Sequence, residues 1–212
     1  MAKYQLPEKE WKILKKLDTP VKIQNFLDDL KINFEEDGDT YLSPMTVLER
    51  GICHCAEGAI LAALALRING WPPLLMDLKT NKNDIDHVVA VFRKAGKWGA
   101  ISKTNHAVLR YREPIYASPR ELAMSYFHEY FDNRGRKNLR SFSRLLNLAR
   151  FDRRGWMATR EEVGYIPDYL DGIKHFPILN KKQIRGLRLA NQIEIAAGKL
   201  VEWKKGEKKK EL

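Results

Sequence analysis

The sequence predicts an α+β fold, and three observations carry this expectation. Apolar residues recur at helical spacing over roughly the first seventy positions and again after residue 117. Between them lie short apolar and β-branched runs separated by turn residues, which is typical of antiparallel strands. No internal repeat and no long linker divides the 212 residues, so a single domain is expected. Helices followed by a strand meander and then by helices indicate α+β rather than alternating α/β.

Four helices are predicted before the strands. Two of them are amphipathic and cover "LPEKEWKILKKL" and "TPVKIQNFLDDLKINF", the second with Thr19 as its N-cap and Pro20 at its first helical position. A third, shorter helix over "SPMTVLER" ends at Gly51. The fourth covers the alanine- and leucine-rich run "CAEGAILAALALRI", which predicts a buried helix that ends at Asn69 and Gly70.

Three consecutive strands and a second helical region follow. The strands are expected over "LLMDLK", "DHVVAVFRK" and "KWGAISK". After them, helices are predicted over "SPRELAMSYFHEYF", "SFSRLLNLARF" and "KKQIRGLRLANQIEIAAGKLVEW". The expected organisation is a core over about residues 43–116, a basic helical part over about residues 117–203 and a disordered tail over 204–212.

The charge of the chain is unevenly distributed. Residues 1–100 carry 14 basic and 14 acidic residues, so the whole net charge of +11 lies in residues 101–212. A basic half raises the chance of a polyanionic partner, but no nucleic-acid motif accompanies the charge. We therefore expect a largely solvated basic surface with weak, non-specific nucleic-acid binding at most.

The sequence favours a cytoplasmic protein without membrane contact. The longest uncharged apolar run, Gly58 to Leu66, has nine residues and is too short to span a bilayer. The first sixteen residues, "MAKYQLPEKEWKILKK", lack the apolar segment of a secretory signal. Cys53 and Cys55 are too close in the chain to bridge each other readily, so both are expected as reduced thiols.

One constellation of residues suggests chemistry. A helix that begins near Cys55 would point its free N–H groups and its positive dipole end at this thiol, and both lower a thiol pKa. His87, the first residue of a predicted strand, is the candidate base. The next strand offers Ser102 and then Asn105 as the polar group that would orient the imidazole.

The order of these residues resembles the core of the transglutaminase-like superfamily. The shared pattern is a cysteine that opens an alanine-rich helix, a strand led by histidine and a strand that opens with "GKW". Counted from Cys55, the small residue, arginine and glycine that members commonly carry four, twelve and fifteen positions on fall on Ala59, Arg67 and Gly70. Counted from Cys53, the same offsets meet none of these residue types. The resemblance implies a papain-like fold in which Cys55 is the nucleophile.

The resemblance covers about residues 43–105 and also implies the partners of the thiol. It assigns the base to His87 and places Trp98 where the family has a tryptophan before the third catalytic residue. By count that third residue, usually Asp, falls on Ser102. We expect Asn105 to orient the imidazole instead, because its side chain is longer and lies just past the strand end, where the chain can turn back.

Two further readings concern Glu57 and metal ions. Glu57 falls in the first turn of the predicted helix, where it would either cap the helix or form a polar wall of the site. The "CHC" stretch together with His87 or His106 could suggest zinc, but structural zinc sites usually draw on two separated ligand pairs. We expect no metal and no cofactor.

The sequence thus predicts a cysteine-dependent acyl-transfer enzyme that acts on a protein, a peptide or a small amide. The alternative function is a catalytically inactive module on the same fold that binds an acidic protein or RNA. Cys55 would then be a small buried core residue. No pattern in the sequence sets the oligomeric state, and specificity for a substrate lies in loops without a local signature.

Overall fold

The structure is a computed structural model, and it describes residues 4–36, 38–82 and 84–206. The predicted tail over 204–212 lies outside these residues from position 207 onwards. Residues 204–206 of this tail are described, and the Lys205 ammonium lies 3.6 Å from the Glu36 carboxylate. Within the described residues no helix has the length and apolarity that crossing a membrane requires.

Four helices form the first part of the chain, as the sequence predicts. They are α1 (Glu8–Lys16), α2 (Pro20–Asp29), α3 (Pro44–Arg50) and α4 (Cys55–Ile68). Thr19 and Ser43 accept hydrogen bonds from the first turns of α2 and α3, and Gly51 ends α3 in the left-handed conformation. The helix α2 is shorter than predicted, because Lys31 and Ile32 leave it as strand β1 (Lys31–Ile32) and pair with β2 (Ile52–Cys53).

A seven-stranded antiparallel sheet forms the centre of the molecule. Its main path runs β6-β5-β4-β3-β7-β9, and β8 also pairs with β3. The three predicted strands are confirmed and lie side by side in it. The strands are β3 (Leu74–Lys79), β4 (His87–Lys94), β5 (Lys97–Ile101), β6 (Arg112–Tyr116), β7 (Ser141–Ser143), β8 (Leu146–Asn147) and β9 (His175–Pro177).

The sheet buries a different apolar cluster on each face. Alternate residues of a strand point to opposite faces, and Val88 and Ala90 accordingly pack with α4, whereas Val89 and Val91 pack with a second cluster. The second cluster is completed by α5 (Pro119–Met124) and by the 3₁₀-helix Phe127–Glu129. Helix α4 is buried along almost its whole length, which fixes its N-terminus against the sheet. The α+β class is therefore confirmed.

The second half of the chain differs from the prediction. The stretch "SFSRLLNLARF", predicted as a helix, instead forms β7, β8 and the start of the 3₁₀-helix Leu148–Arg154. Pairing with the otherwise open edge of β3 satisfies backbone groups that a helix could not reach. The remaining helices are short: α6 (Tyr165–Gly172), α7 (Lys181–Arg185) and α8 (Gln192–Gly198). Residues 117–203 are thus a mixture of strands and helices that completes the sheet.

Candidate active site

Cys55 is the first residue of α4 and lines a cavity. The chain reaches it from β2 through His54, which is the N-cap of the helix. The Cys55 side chain is half-buried and lines a cavity of about 400 Å³ together with His87. Cys55 and His87, the first two predicted site residues, are therefore brought together.

His87 is held in one orientation by Ser102. The imidazole is buried, and its Nε2 lies 2.7 Å from the Ser102 hydroxyl oxygen. That hydroxyl donates its own hydrogen to the Leu109 carbonyl at 2.6 Å, so it must accept from His87 Nε2–H. The proton on Nε2 leaves Nδ1 as the ring nitrogen available to Cys55.

Ser102 is fixed in turn by Gln24 of α2. The Gln24 amide donates to the Ser102 carbonyl and accepts from the Ser102 N–H, each at 2.9 Å, as a neighbouring strand would. Its NH₂ group also donates to Asp28 at 2.8 Å. Gln24 is buried, and a glutamine on an amphipathic helix gives no signal in the sequence for this role.

The expectation that Asn105 orients His87 is wrong. The Asn105 amide donates to the Trp203 carbonyl at 2.9 Å and accepts from the Trp203 N–H at 2.8 Å, so both of its polar groups are engaged there. It thereby anchors the C-terminal segment, whose Gly198 and Lys199 line the cavity. Ser102, which is the position that the family spacing indicates, makes the contact instead. Gln24 holds the Ser102 backbone and the Leu109 carbonyl holds its hydroxyl, so that this hydroxyl lies close to the imidazole ring.

The environment of Cys55 favours the thiolate. Burial alone would raise the pKa of this thiol, but hydrogen bonds from His54 and His87 and the charges of both imidazoles lower it to about 5. The N-terminus of α4 adds the positive end of the helix dipole. Cys53 has the opposite environment, since complete burial raises its pKa to about 12. The two thiols thus lie in opposite electrostatic environments, one that favours the thiolate and one that disfavours it.

His54 is a functional candidate that sequence reasoning missed. Its Nδ1 accepts from the Ala56 N–H at 3.2 Å, and its Nε2 donates to the Thr40 carbonyl at 2.8 Å. Burial alone would lower its pKa, but the Cys55 thiolate and the Glu57 carboxylate raise it to about 9. Nδ1 therefore has two alternative partners: the helix N–H when it is unprotonated and the Cys55 sulfur when it is protonated. Its position as N-cap beside the thiol was the only signal available.

Glu57 is a structural anchor rather than a wall of the cavity. It is fully buried and completes a capping box by accepting from the His54 N–H at 2.9 Å. It also accepts from the Leu42 N–H at 2.8 Å and from the Thr40 hydroxyl at 3.0 Å. These contacts tie the loop before α3 to the start of α4. The capping reading of Glu57 is the one that the contacts support.

Trp98 lies away from the cavity, against expectation. It is on β5, where it pairs with Arg93 of β4 and Tyr116 of β6. The Arg93 guanidinium lies 5.5 Å from its ring centroid, and the side chain packs on the second apolar cluster. The tryptophan therefore supports the sheet, and it does not line the cavity that contains Cys55.

The remaining cavity wall comes from three loops and the C-terminal segment. The Tyr130 hydroxyl donates to the Ile85 carbonyl and so links two of these loops across the cavity. Two of the carboxylates in the wall are neutralised, Glu129 by Arg112 and Asp132 by Arg136. Other lining residues are Asp84, Asp86, Thr104, His106, Val108, Leu109, Phe131 and Ile195.

The group that could hold a metal ion does not include the cysteines. Within the described residues, the oxygens of Asp77, Asp86 and Asp171 lie within 4.8 Å of one another. Asp171 is paired with Lys79, and His175 Nε2 lies 2.9 Å from Asp77, so two of the three acids already have a basic partner.

Comparison with known proteins adds no assignment to this geometry. No protein-family model matches the chain, and no curated protein matches it.

Proposed function

We propose that the protein is a cysteine-dependent acyl-transfer enzyme that acts on an amide bond through Cys55 and His87. The observation that carries the proposal is the pairing in one open cavity of a thiol whose pKa is lowered to about 5 with an imidazole fixed by Ser102. Thiolate, base and orienting group are the parts that nucleophilic thiol catalysis requires. Helix α4 against an antiparallel sheet, with His87 opening β4 and Ser102 just after β5, supports a transglutaminase-like core.

In the proposed reaction the Cys55 sulfur attacks the carbonyl carbon of the amide and forms a C–S bond. The carbonyl π electrons move to oxygen, and the N–H of Cys55, which has no intrahelical acceptor in the first turn of α4, donates to that oxyanion. When the tetrahedral intermediate collapses, the C–N bond breaks and the leaving amine takes a proton from His87 Nδ1, which received that proton from the Cys55 thiol when the thiolate formed. The product of this half is a thioester on Cys55.

The second half returns the enzyme to its starting state. Water or a second amine attacks the thioester carbon and transfers a proton to His87. The C–S bond then breaks and restores the Cys55 thiolate. Attack by water makes the enzyme a peptidase or amidase, whereas attack by an amine makes it a transferase. The substrate class that we propose is a protein, a peptide or a small amide.

Acyl transfer from an activated ester tests the proposal without knowledge of the natural substrate. Incubation with p-nitrophenyl acetate should release one p-nitrophenolate per chain in a burst and add one acetyl group to Cys55, as read by intact mass and peptide mapping. Cys55→Ala and His87→Ala should abolish the burst, whereas Cys53→Ala should retain it. Acetylation that appears only on lysines, or that is unchanged by His87→Ala, would contradict the proposal.

A non-catalytic binding module is the second candidate, and one observation favours it. Ser102 is neutral, so it holds the His87 ring without the charge that a carboxylate would supply to a protonated imidazole. In a binding module, p-nitrophenyl acetate would acetylate Cys55 at most once, and no amide substrate would be turned over. Turnover of peptide anilides that is lost in Cys55→Ala decides for the enzyme.

A further inference from the structure

A second surface, remote in sequence from Cys55, carries a group of arginines. The 3₁₀-helix Leu148–Arg154 presents Arg150, Arg153 and Arg154 to solvent, and Arg144 is exposed just before β8. We call these four residues the arginine surface. It belongs to the half of the chain that holds the whole net positive charge.

Two of these guanidinium groups are held in place by tyrosine rings. Phe151, which lies between Arg150 and Arg154 in the sequence, is buried. It packs edge-on against two tyrosines of α6, with ring centroids about 5.5 Å apart. Arg154 lies 3.5 Å from the ring centroid of Tyr165, and Arg150 lies 3.9 Å from that of Tyr169. Stacking uses the face of a guanidinium and leaves its N–H edge free to donate.

The hydrogen-bond donors of the arginine surface are uncommitted. Within the described residues, none of its four side chains forms an ion pair or donates a hydrogen bond to protein. Many other arginines of the same half are engaged with carboxylates or carbonyls. Those engaged are Arg110, Arg112, Arg120, Arg136, Arg140 and Arg160. The stacked guanidinium groups of Arg150 and Arg154 are pre-organised for an external anion, because less side-chain entropy remains to be lost on binding.

A cavity with both polar and apolar walls adjoins these donors. It has a volume of about 380 Å³, and both Arg144 and Arg150 line it. Its other walls include the Tyr169 ring, Leu145 and Ile173. A ligand in this cavity would meet two guanidinium groups, one of them stacked on the Tyr169 ring, and the aliphatic side chains of Leu145 and Ile173. The net positive charge of this half favours a polyanion, whose repeated phosphates meet several guanidinium groups at once.

We propose that the arginine surface binds single-stranded nucleic acid, with backbone phosphates on the guanidinium groups and a base in the cavity beside Tyr169. Arginine binds phosphate oxygens through two parallel N–H bonds, and single strands are typically held by a basic track with aromatic contacts to the bases. The interaction does not depend on base identity, and it is independent of the reaction at Cys55.

Fluorescence anisotropy with labelled single-stranded RNA and DNA of about 15 nucleotides tests this assignment at about 50 mM and about 200 mM salt. Arg150→Gln with Arg154→Gln should weaken binding by about tenfold or more and lower the salt slope by about 2. The matched control is Arg185→Gln with Arg188→Gln, which makes the same charge change at exposed arginines elsewhere in the same half. This control should stay within about twofold of the wild type.

Arg153→Glu provides a second test that does not disturb the stacked side chains. It should weaken binding more than Arg188→Glu does, even if the double glutamine variant fails to fold. Equal losses in the surface and control variants would show that binding follows net charge alone and would overturn the assignment. The absence of binding at low salt would also overturn the assignment. The same holds if polyglutamate binds with the same affinity and the same dependence on Arg150 and Arg154.

Discussion

The Nε2 of His87 lies 2.7 Å from the Ser102 hydroxyl, which donates its own hydrogen to the Leu109 carbonyl at 2.6 Å. This chain of two hydrogen bonds has a direction, because a hydroxyl that donates to a carbonyl can only accept from the imidazole. It fixes the proton on Nε2 and leaves Nδ1 for Cys55. A serine thus sets the tautomer of the candidate base, although it brings no charge.

Ser102→Ala should therefore impair Cys55 more than Asn105→Ala does. Loss of one hydrogen bond of about 1 kcal/mol should move the pH midpoint of Cys55 alkylation upward by about one unit. Asn105→Ala should leave the midpoint unchanged, because its amide bonds only to the Trp203 backbone. The measurement is the iodoacetamide rate against pH. A midpoint that moves in Asn105→Ala and stays in Ser102→Ala would reverse this assignment.

The two cysteines should differ sharply in reactivity. The Cys55 pKa of about 5 means that its thiolate persists at neutral pH and is lost only as the pH falls through about 5. An ordinary thiol would already lose its thiolate below about pH 8.5. Cys53 is fully buried, and its pKa of about 12 keeps it protonated. Sub-stoichiometric iodoacetamide at about pH 6 should label Cys55 alone, and peptide mapping that finds Cys53 labelled first would contradict this.

Most of the first hundred residues could be predicted from the sequence because their signals are local. Caps such as Thr19 and Ser43, the left-handed Gly51 and the continuous apolar, β-branched run of β4 each act within a few residues. The misread stretch over 141–151 has apolar residues at spacings that also suit a helix. Its strands exist because β3 offers an unpaired edge from a distant part of the chain, and no local pattern carries that information.

Those residues of the candidate site could be predicted for which the order of helices and strands along the chain was sufficient information. Cys55 at a helix start and His87 at a strand start needed only the pattern of elements. The choice between Ser102 and Asn105 as the residue that orients His87 depended on where a loop turns. His87 contacts Ser102 because Gln24 of α2 holds the Ser102 backbone. His54 escaped notice because its role requires the loop that brings the Thr40 carbonyl to its ring.

His54 should affect both stability and the thiol, and two substitutions can separate these effects. Above about pH 9, where the His54 imidazole is neutral and its Nδ1 accepts from the Ala56 N–H, His54→Ala removes the N-cap acceptor of α4 and should lower the free energy of unfolding by about 1 kcal/mol. His54→Asn supplies an amide oxygen, which is a good N-cap, and should retain most of that stability. Both should raise the pH midpoint of Cys55 alkylation, because both remove the second imidazole beside the sulfur.

Denaturant unfolding and the iodoacetamide pH profile are the two measurements. If His54→Asn restores the midpoint as well as the stability, the effect on Cys55 comes from capping and the helix dipole, and the imidazole has no separate role. A midpoint that rises equally in both variants supports direct contact between His54 and the thiolate.

Glu57 should be essential for folding rather than for binding. Its buried carboxylate accepts from the His54 and Leu42 N–H groups and from the Thr40 hydroxyl. Glu57→Gln would turn an NH₂ group toward some of these donors and leave them unsatisfied, which should cost about 3 kcal/mol. Glu49→Gln is the matched control, since Glu49 is exposed and its pair with Arg160 should contribute less than about 1 kcal/mol. The measurement is the midpoint temperature of thermal unfolding for both variants. If both midpoints shift by the same small amount, the prediction is wrong.

The C-terminal segment should control access to Cys55 through Asn105. Ile195, Gly198 and Lys199 form part of the cavity wall. The two hydrogen bonds between the Asn105 amide and the Trp203 backbone add to the backbone bonds that join residues 105–107 to residues 200–202 and help to hold that wall in place. Asn105→Ala removes both and should loosen the wall at a cost of about 1–3 kcal/mol. The rate of Cys55 labelling by a bulky biotin-maleimide should then rise several-fold relative to iodoacetamide, which already fits the cavity.

The control for this prediction is Lys205→Ala, which removes only an exposed ion pair with Glu36 just beyond the anchored segment. It should leave the ratio of the two labelling rates unchanged, since such pairs contribute little. If Asn105→Ala lowers stability but the ratio stays at the wild-type value, the wall is held by other contacts, such as that between His106 Nδ1 and the Gly198 carbonyl at 2.9 Å. A ratio that rises while the pH midpoint stays fixed would separate the role of Asn105 in access from that of Ser102 in orienting His87.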